Sequence, residues 1–272
     1  MVDVLMDECL ENKIYEYIIN KINDEGAIHF SLIDPDPLRQ SPNKAAKMAK
    51  YAEDAGTDAI LVGGSTICDQ MYVDKTIELI KRDVKVPIII FPGGMSNISP
   101  KADAIFFMSL LNSEDPYFII GQQAIASYTI KMANLEHISM GYLIIQPGGT
   151  AGWVGRARLI PREKAKLTAA YSLAAEMFGF KLIYLEAGSG SERIPIEHIQ
   201  LCSKVLKIPI IAGGGIDTKE DARNFVEAGA SVIVMGSFLE NNIMKDNGSS
   251  LKAIVNEVKE AGKDQRKKFC IK

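Results

Sequence analysis

Two short acidic motifs carry the side chains of this sequence that could do chemistry. The first, Leu32-Ile33-Asp34-Pro35-Asp36-Pro37, sets two carboxylates on either side of a proline. Mg²⁺ takes one or two carboxylates and completes its shell with water and substrate phosphates, so this motif suits it. Asp-Pro pairs also initiate turns, and Asp36 stays open between the two roles. Asp34 is the stronger candidate ligand, and Ser65, just after Gly63-Gly64, could supply a hydroxyl or bind the same ion through water. The second motif, Tyr184-Leu185-Glu186-Ala187-Gly188-Ser189-Gly190, puts an acid ahead of a flexible, hydroxyl-bearing turn. Glu186 there could accept a proton from a substrate hydroxyl. The alternative is a structural carboxylate bonded to nearby amides.

Both motifs follow short apolar runs rich in Ile and Val. Such runs occur at Ala27–Ile33, Asp58–Val62, Pro87–Phe91, Asp103–Ser109, Gly141–Gln146, Lys181–Ala187, Ile208–Ala212 and Ser231–Met235. They are almost continuously apolar, the pattern of strands covered on both faces. Helical patterns alternate with them: Pro42–Asp54 after an N-capping Ser41, Asp69–Arg82, Tyr117–Leu135, Arg162–Phe178, Glu197–Leu206, Thr218–Ala228 and Leu251–Ala261. An additional helix near Asp7–Ile22 precedes the first strand. Eight strands alternating with helices imply an α/β fold, a (β/α)₈ TIM barrel in one domain over residues 1–272. An open doubly wound sheet is the alternative. Only Pro92–Ala102 separates the third and fourth strands, too short for an ordinary helical crossover. The third helix is therefore expected to be missing or displaced.

The 22 glycines are distributed unevenly. Gly63-Gly64, Gly93-Gly94, Gly148-Gly149, Gly188 with Gly190, Gly213-Gly214-Gly215 and Gly236 all follow strands. In a barrel these carboxyl ends share one face, which holds the active site. The seventh and eighth loops fit the phosphate site barrels build there, with amides of Gly214, Gly215, Gly236 and Ser237 at the start of a short helix. That pattern indicates a phosphate monoester without saying which one. A phosphosugar isomerase or synthase and a non-catalytic phosphate-binding barrel are both compatible with it.

Composition narrows the classes further. A net charge of −3 gives no nucleic-acid footprint. No apolar run is long enough to span a membrane, and the start, Met1-Val2-Asp3, lacks a basic signal-peptide region. Cys9, Cys68, Cys202 and Cys270 are widely spaced, as expected of reduced thiols in a cytoplasmic protein. The basic tail Lys263–Lys272 could make a transient contact with an anionic membrane, although a solvated terminus is the simpler reading.

Taken in order, HFSLIDPD (His29–Asp36), VGGS (Val62–Ser65), Pro92-Gly93-Gly94, QPGGTAGWVGRA (Gln146–Ala157), YLEAGSGS (Tyr184–Ser191), AGGGI (Ala212–Ile216) and VMGS (Val234–Ser237) resemble the geranylgeranylglyceryl phosphate synthase family, in its archaeal-type branch. The resemblance runs from Ala27 to Ser237. It implies a modified barrel with a displaced third helix. It also implies Mg²⁺-dependent prenyl transfer from geranylgeranyl diphosphate to the C3 hydroxyl of sn-glycerol 1-phosphate, the entry to archaeal ether-lipid biosynthesis. By the same resemblance Asp34 and Ser65 hold Mg²⁺. Tyr184 through Gly190 (including Leu185, Ala187, Gly188 and Ser189), Gly214, Gly215, Gly236 and Ser237 hold glycerol phosphate, and Glu186 is the base.

One position departs from the family. Its largely bacterial branch carries a Lys two residues before the metal Asp, where this chain has Leu32. Arg156, Arg158 and Lys101 are the candidates for that phosphate contact. Met108, Leu110, Leu111, Tyr117, Met140 and Tyr142 are candidates for an apolar groove around the prenyl tail, with ordinary barrel core as the alternative. Trp153, the sole Trp, is hard to bury in its Gly-rich segment and is a candidate subunit contact in a homo-oligomer, a dimer or a hexamer.

Overall fold

The computed structural model describes residues 12–64, 69–190 and 192–270, with side chains through Arg266. Ser65, Cys9 and Cys68 lie outside the described residues. Eight parallel strands close into a barrel in chain order: β1 (Ile28–Ile33), β2 (Ala59–Gly63), β3 (Ile88–Phe91), β4 (Ala104–Leu110), β5 (Glu136–Ile144), β6 (Leu182–Glu186), β7 (Ile210–Gly213) and β8 (Val232–Met235). The closure pairs Ile28 with Val232 and Phe30 with Val234. The open-sheet alternative is thereby excluded.

The helices are α1 (Lys13–Glu25), α2 (Pro42–Asp54), α3 (Gln70–Asp83), α4 (Gln122–Met132), α5 (Gly149–Val154), α6 (Ala165–Met177), α7 (Ile196–Val205), α8 (Lys219–Ala228), α9 (Ser237–Asp246) and α10 (Ser249–Cys270). Between β3 and β4 there is only a 3₁₀ turn, Met95–Asn97, so the third crossover helix is absent as the short interval implies. Local signals fix several boundaries. Ser41 accepts from the Lys44 amide at the start of α2, with Pro42 at the first helical position. Thr218 accepts from the Asp221 amide at the start of α8. The expected Tyr117–Leu135 helix divides into a π turn, Tyr117–Gly121, followed by α4. α10 runs well past the expected Ala261, and its far end is held by Gln265 on the Val226 carbonyl and Arg266 on that of Asp24. The basic tail thus continues a packed helix through Cys270.

Period-two alternation splits the apolar residues into two cores. One lies inside the barrel: Ile28, Phe30 and Leu32 of β1, Leu61, Ile89, Phe106, Met140, Tyr142, Leu182, Tyr184, Ile211 and Val234. The other lies between strands and helices and includes Ile33, Ile60, Val62, Ile90, Leu143, Ile183, Leu185, Ala187, Ala212 and Ile233. Ile18 of α1 belongs to the inner core, flanked by Ile14, Tyr15, Tyr17 and Ile22. α1 therefore stoppers the end of the barrel where the strands begin. The other end stays open, and every β-to-α loop gathers around it.

Candidate active site

A cavity of about 350 Å³ occupies the open mouth. On one side it is acidic, with Asp34 and Asp36 after β1, Glu186 at the end of β6 and Glu240 in the first turn of α9. On the other it is apolar, walled by Phe91, Met95, Ile98, Phe106, Phe107, Met108, Leu110, Phe118, Ala126, Ile130 and Tyr142. With no helix between β3 and β4, this wall is made by the strand ends, the 3₁₀ turn and α4. Of the groove candidates, Met108, Leu110 and Tyr142 line it. Met140 is sealed inside the barrel below, Leu111 packs against the outer core, and Tyr117 is partly exposed beside it. Sequence reasoning missed Phe91, Phe106 and Phe118, because their place in the cavity wall depends on the lost crossover.

A smaller cup of about 30 Å³ adjoins this cavity. Tyr184, Glu186, Ser189, Gly190, Gly214, Gly215, Gly236 and Ser237 line it, and Leu32, Glu186, Ser189, Gly236 and Ser237 border both spaces. Gly236 caps α9, so the first amides of that helix face the cup, the arrangement that favours an anion. Eight of the residues named from the sequence thus converge here. Leu185 and Ala187 do not, since alternation along β6 turns them into the outer core. Gly188 supports the cup from behind. A Cβ on it would lie 2.7 Å from the backbone of Gly148 and Gly149, and the Gly148 amide donates to the Ala187 carbonyl at 2.8 Å. This close approach locks the β5 and β6 loops together.

Glu186 is the junction of cup and cavity. It is buried, with 6% of its surface exposed. Its Oε1 accepts the Gly188 amide at 2.8 Å, and the Tyr184 hydroxyl also donates to its carboxylate. Burial outweighs these two donors and pushes its pKa up to about 7. A carboxylate poised there can take a proton at neutral pH. Tyr184 itself stacks on Phe91 at 5.2 Å and meets Tyr142 edge-on at 5.4 Å, and these three rings floor the site. Burial and then the Glu186 charge hold the Tyr184 hydroxyl well above its usual range, so it remains a donor. Gly214 leaves room for the carboxylate. At φ +87° a Cβ would lie 2.8 Å from Glu186 Oε1.

Asp34 has a buried Oδ1 with no hydrogen-bond partner. Burial, then the charges of Glu240, Glu186 and Asp36, push its pKa to about 7. Its strongest charged neighbours are thus all acids. Among the described residues no three His, Cys, Asp or Glu side chains form a ready metal cage. Asp36 mainly organises its own turn, accepting the Leu38 amide on Oδ1 and the Arg39 and Gln40 amides on its carbonyl. Lys101 and Arg156 are tied to Glu78 and Asp115, each at 3.2 Å, and neither they nor Arg158 line the cavity.

The PcrB family model matches residues 20–258. The chain belongs to the PcrB family. Among its relatives, the geranylgeranylglyceryl phosphate synthase of Thermococcus sibiricus is 46% identical over 250 residues, covering 91% of this chain and 97% of that protein. That of Thermococcus gammatolerans is 51% identical over 84% of this chain and 90% of its own. The crystal structure of (S)-3-O-geranylgeranylglyceryl phosphate synthase from Thermoplasma acidophilum, in complex with sn-glycerol 1-phosphate, superposes with a TM-score of 0.85 at 43% identity. It covers 90% of this chain and 98% of that one. The wild-type GGGPS of Thermoplasma volcanium gives 0.83 at 44% identity, covering 89% and 97%. An N-acetylmannosamine-6-phosphate 2-epimerase from Clostridium perfringens, at 16% identity and TM-score 0.51, shares the fold alone.

Proposed function

We infer that this chain is a prenyltransferase that joins the C3 hydroxyl of sn-glycerol 1-phosphate to geranylgeranyl diphosphate, giving geranylgeranylglyceryl phosphate and diphosphate. The observation that carries this reading is the position of Glu186, between a phosphate-sized cup and an apolar cavity. The glycerol phosphate sits with its phosphate on the amides of Gly214, Gly215, Gly236 and Ser237. That anchor leaves the hydroxyl end toward Glu186. The C3 oxygen attacks C1 of the prenyl chain, its proton passes to Glu186, and the electron pair of the breaking C1–O bond leaves with diphosphate. Holding both ends of the glycerol converts an encounter into an oriented reaction. The apolar wall from Phe91 to Ile130 receives the tail.

The residues at the mouth fit Mg²⁺. Asp34 has an orphaned buried oxygen whose strongest charged neighbours are acids, and such a site gains by taking up a cation. Asp34 and Ser65 would hold the ion, which when bound neutralises charge on the departing diphosphate. The four widely spaced cysteines suit reduced thiols in the cytoplasm. No helix among the described residues is long and apolar enough to cross a membrane. The enzyme assembles as a homo-oligomer through Trp153 on α5, whose ring is 84% exposed, as an interface anchor would be in a free subunit.

Incubation with Mg²⁺, labelled glycerol 1-phosphate and prenyl diphosphates of several lengths tests the activity. An organic-extractable labelled product is expected, and its absence at every chain length would sink the reading. Asp34→Asn is expected to shift a calorimetric Mg²⁺ titration to higher concentration. An unchanged titration removes Asp34 as a ligand.

A further inference from the structure

Resting on that diphosphate-releasing reaction, we propose that Arg39 is the side chain that grips the diphosphate of the prenyl substrate. The mouth has a charge problem that the glycerol-phosphate cup does not solve. Four carboxylates line the cavity, those of Asp34, Asp36, Glu186 and Glu240, and an incoming diphosphate is repelled by each of them that is ionised and without a cation. Among the described residues, Arg39 is the one Lys or Arg that lines the same cavity.

Its setting suits a mobile clamp on a fixed base. The backbone is pinned: the Arg39 and Gln40 amides donate to the Asp36 carbonyl at 3.0 and 2.8 Å, and the Gln40 carbonyl accepts the Tyr72 hydroxyl of α3 at 2.8 Å. The side chain is 81% exposed, and its nearest acid, Asp36, is 3.8 Å away. An exposed pair at that distance contributes little and leaves the guanidinium free to change partner. Arg39 is also the strongest opposing charge on Glu240 across the mouth, so it lies in the field between the β1–α2 loop and α9. A guanidinium there meets a diphosphate with a planar fork of donors, a better match than either single carboxylate. The position answers the departure at Leu32: the missing Lys is replaced by a cation from the following loop, at the outer rim beside the large cavity, away from the cup.

The test compares wild type with Arg39→Gln and Arg39→Lys. Calorimetric titration of inorganic diphosphate in Mg²⁺ buffer reads binding without turnover, and steady-state kinetics read the two KM values separately. Arg39→Gln should weaken diphosphate binding and raise the KM for prenyl diphosphate by roughly 10- to 100-fold, the loss of charge-assisted bonds. The KM for glycerol 1-phosphate should stay within about twofold, and Arg39→Lys should recover part of the loss, since it restores the charge without the fork. Unchanged diphosphate binding in Arg39→Gln overturns the proposal, as does an equal rise in both KM values. If wild type binds diphosphate but forms no prenylated product, the reaction assignment fails while the titration still decides Arg39.

Discussion

The two ends of the barrel treat their buried acids in opposite ways. At the stoppered end every such acid is answered. Asp58, 2% exposed, accepts the His29 amide at 3.1 Å and pairs with Lys21 at 3.0 Å and Lys259 at 3.1 Å. Glu25 joins the same two lysines at 2.6 and 3.0 Å. Glu136 takes the Ile14 and Tyr15 amides, both at 2.8 Å, and so caps the first turn of α1. Glu53 of α2 accepts the consecutive amides of Lys85 and Val86 just before β3, and Glu176 of α6 does the same for Lys207 and Ile208 just before β7. Partial burial pushes Glu25 and Glu53 upward, yet their donors hold both below the ordinary carboxylate range. At the open end burial prevails, and Asp34, Glu186 and Glu240 are all raised. One rim spends its charges on stability, and the other leaves them under-compensated by burial, ready for substrates.

Substitutions at the two rims should therefore separate activity from stability. The largest effect is expected for Glu186→Gln, a fall in turnover of roughly 10²–10⁴-fold, the usual weight of general-base catalysis. In wild type, kcat/KM should rise with pH through about 7, as Glu186 loses its proton. The linkage runs the other way for stability. The folded pKa lies above the ordinary value near 4.5, so the ionised form costs stability fully above pH 7 and not at all below 4.5. Glu186→Gln should thus raise Tm at pH 8, with the gain fading toward pH 4.5. A variant that is both inactive and less stable at pH 8 would break the comparison.

Asp58→Ala should do the reverse. Stripping the partner from Lys21 and Lys259 is expected to cost about 3–5 kcal/mol in denaturant unfolding, with turnover of the folded fraction unaltered. Glu136→Ala uncaps α1 and should cost about 1–2 kcal/mol by the same measurement, again without changing KM. The smallest energetic effect belongs to neither rim. Trp153→Ala, on an exposed ring, should leave Tm and turnover nearly unchanged while lowering the mass measured by sedimentation. An unchanged mass removes Trp153 as a subunit contact.

The mouth was far more legible in the sequence than the floor. Its residues come as contiguous motifs, because a βα loop delivers neighbours in sequence to one place: Tyr184 to Gly190, Gly213 to Gly215, Gly236 and Ser237. Period two then decides which of them face the cup, and Leu185 and Ala187 fall on the wrong side of β6. The floor is assembled from residues far apart in the chain, Asp58 with Lys259 and Glu136 with Ile14, and no local pattern announces such pairs. One helix escaped for a different reason. α5 lies in Gly149–Val154, whose glycines read as loop, whereas α9 begins at Ser237, where the phosphate-binding pattern asks for a short helix. β5 begins at Glu136, five residues before the expected Gly141, since its first half alternates polar and apolar above α1. Arg39 and Glu240 carry no motif, and only the closed ring brings them to the same rim.

The stopper has a consequence for how the molecule comes into being. α1 and α10 arise from opposite ends of the chain, yet they meet so closely that a Cβ on Gly26 would overlap the Gly262 carbonyl. The last strand pairs with the first at the same seam. On the ribosome, therefore, the ring cannot close until β8, Val232–Met235, has emerged. Until then β1 offers a bare edge, and a topology so rich in distant contacts folds slowly. The latch between α1 and α10 turns that open sheet into a vessel with one entrance.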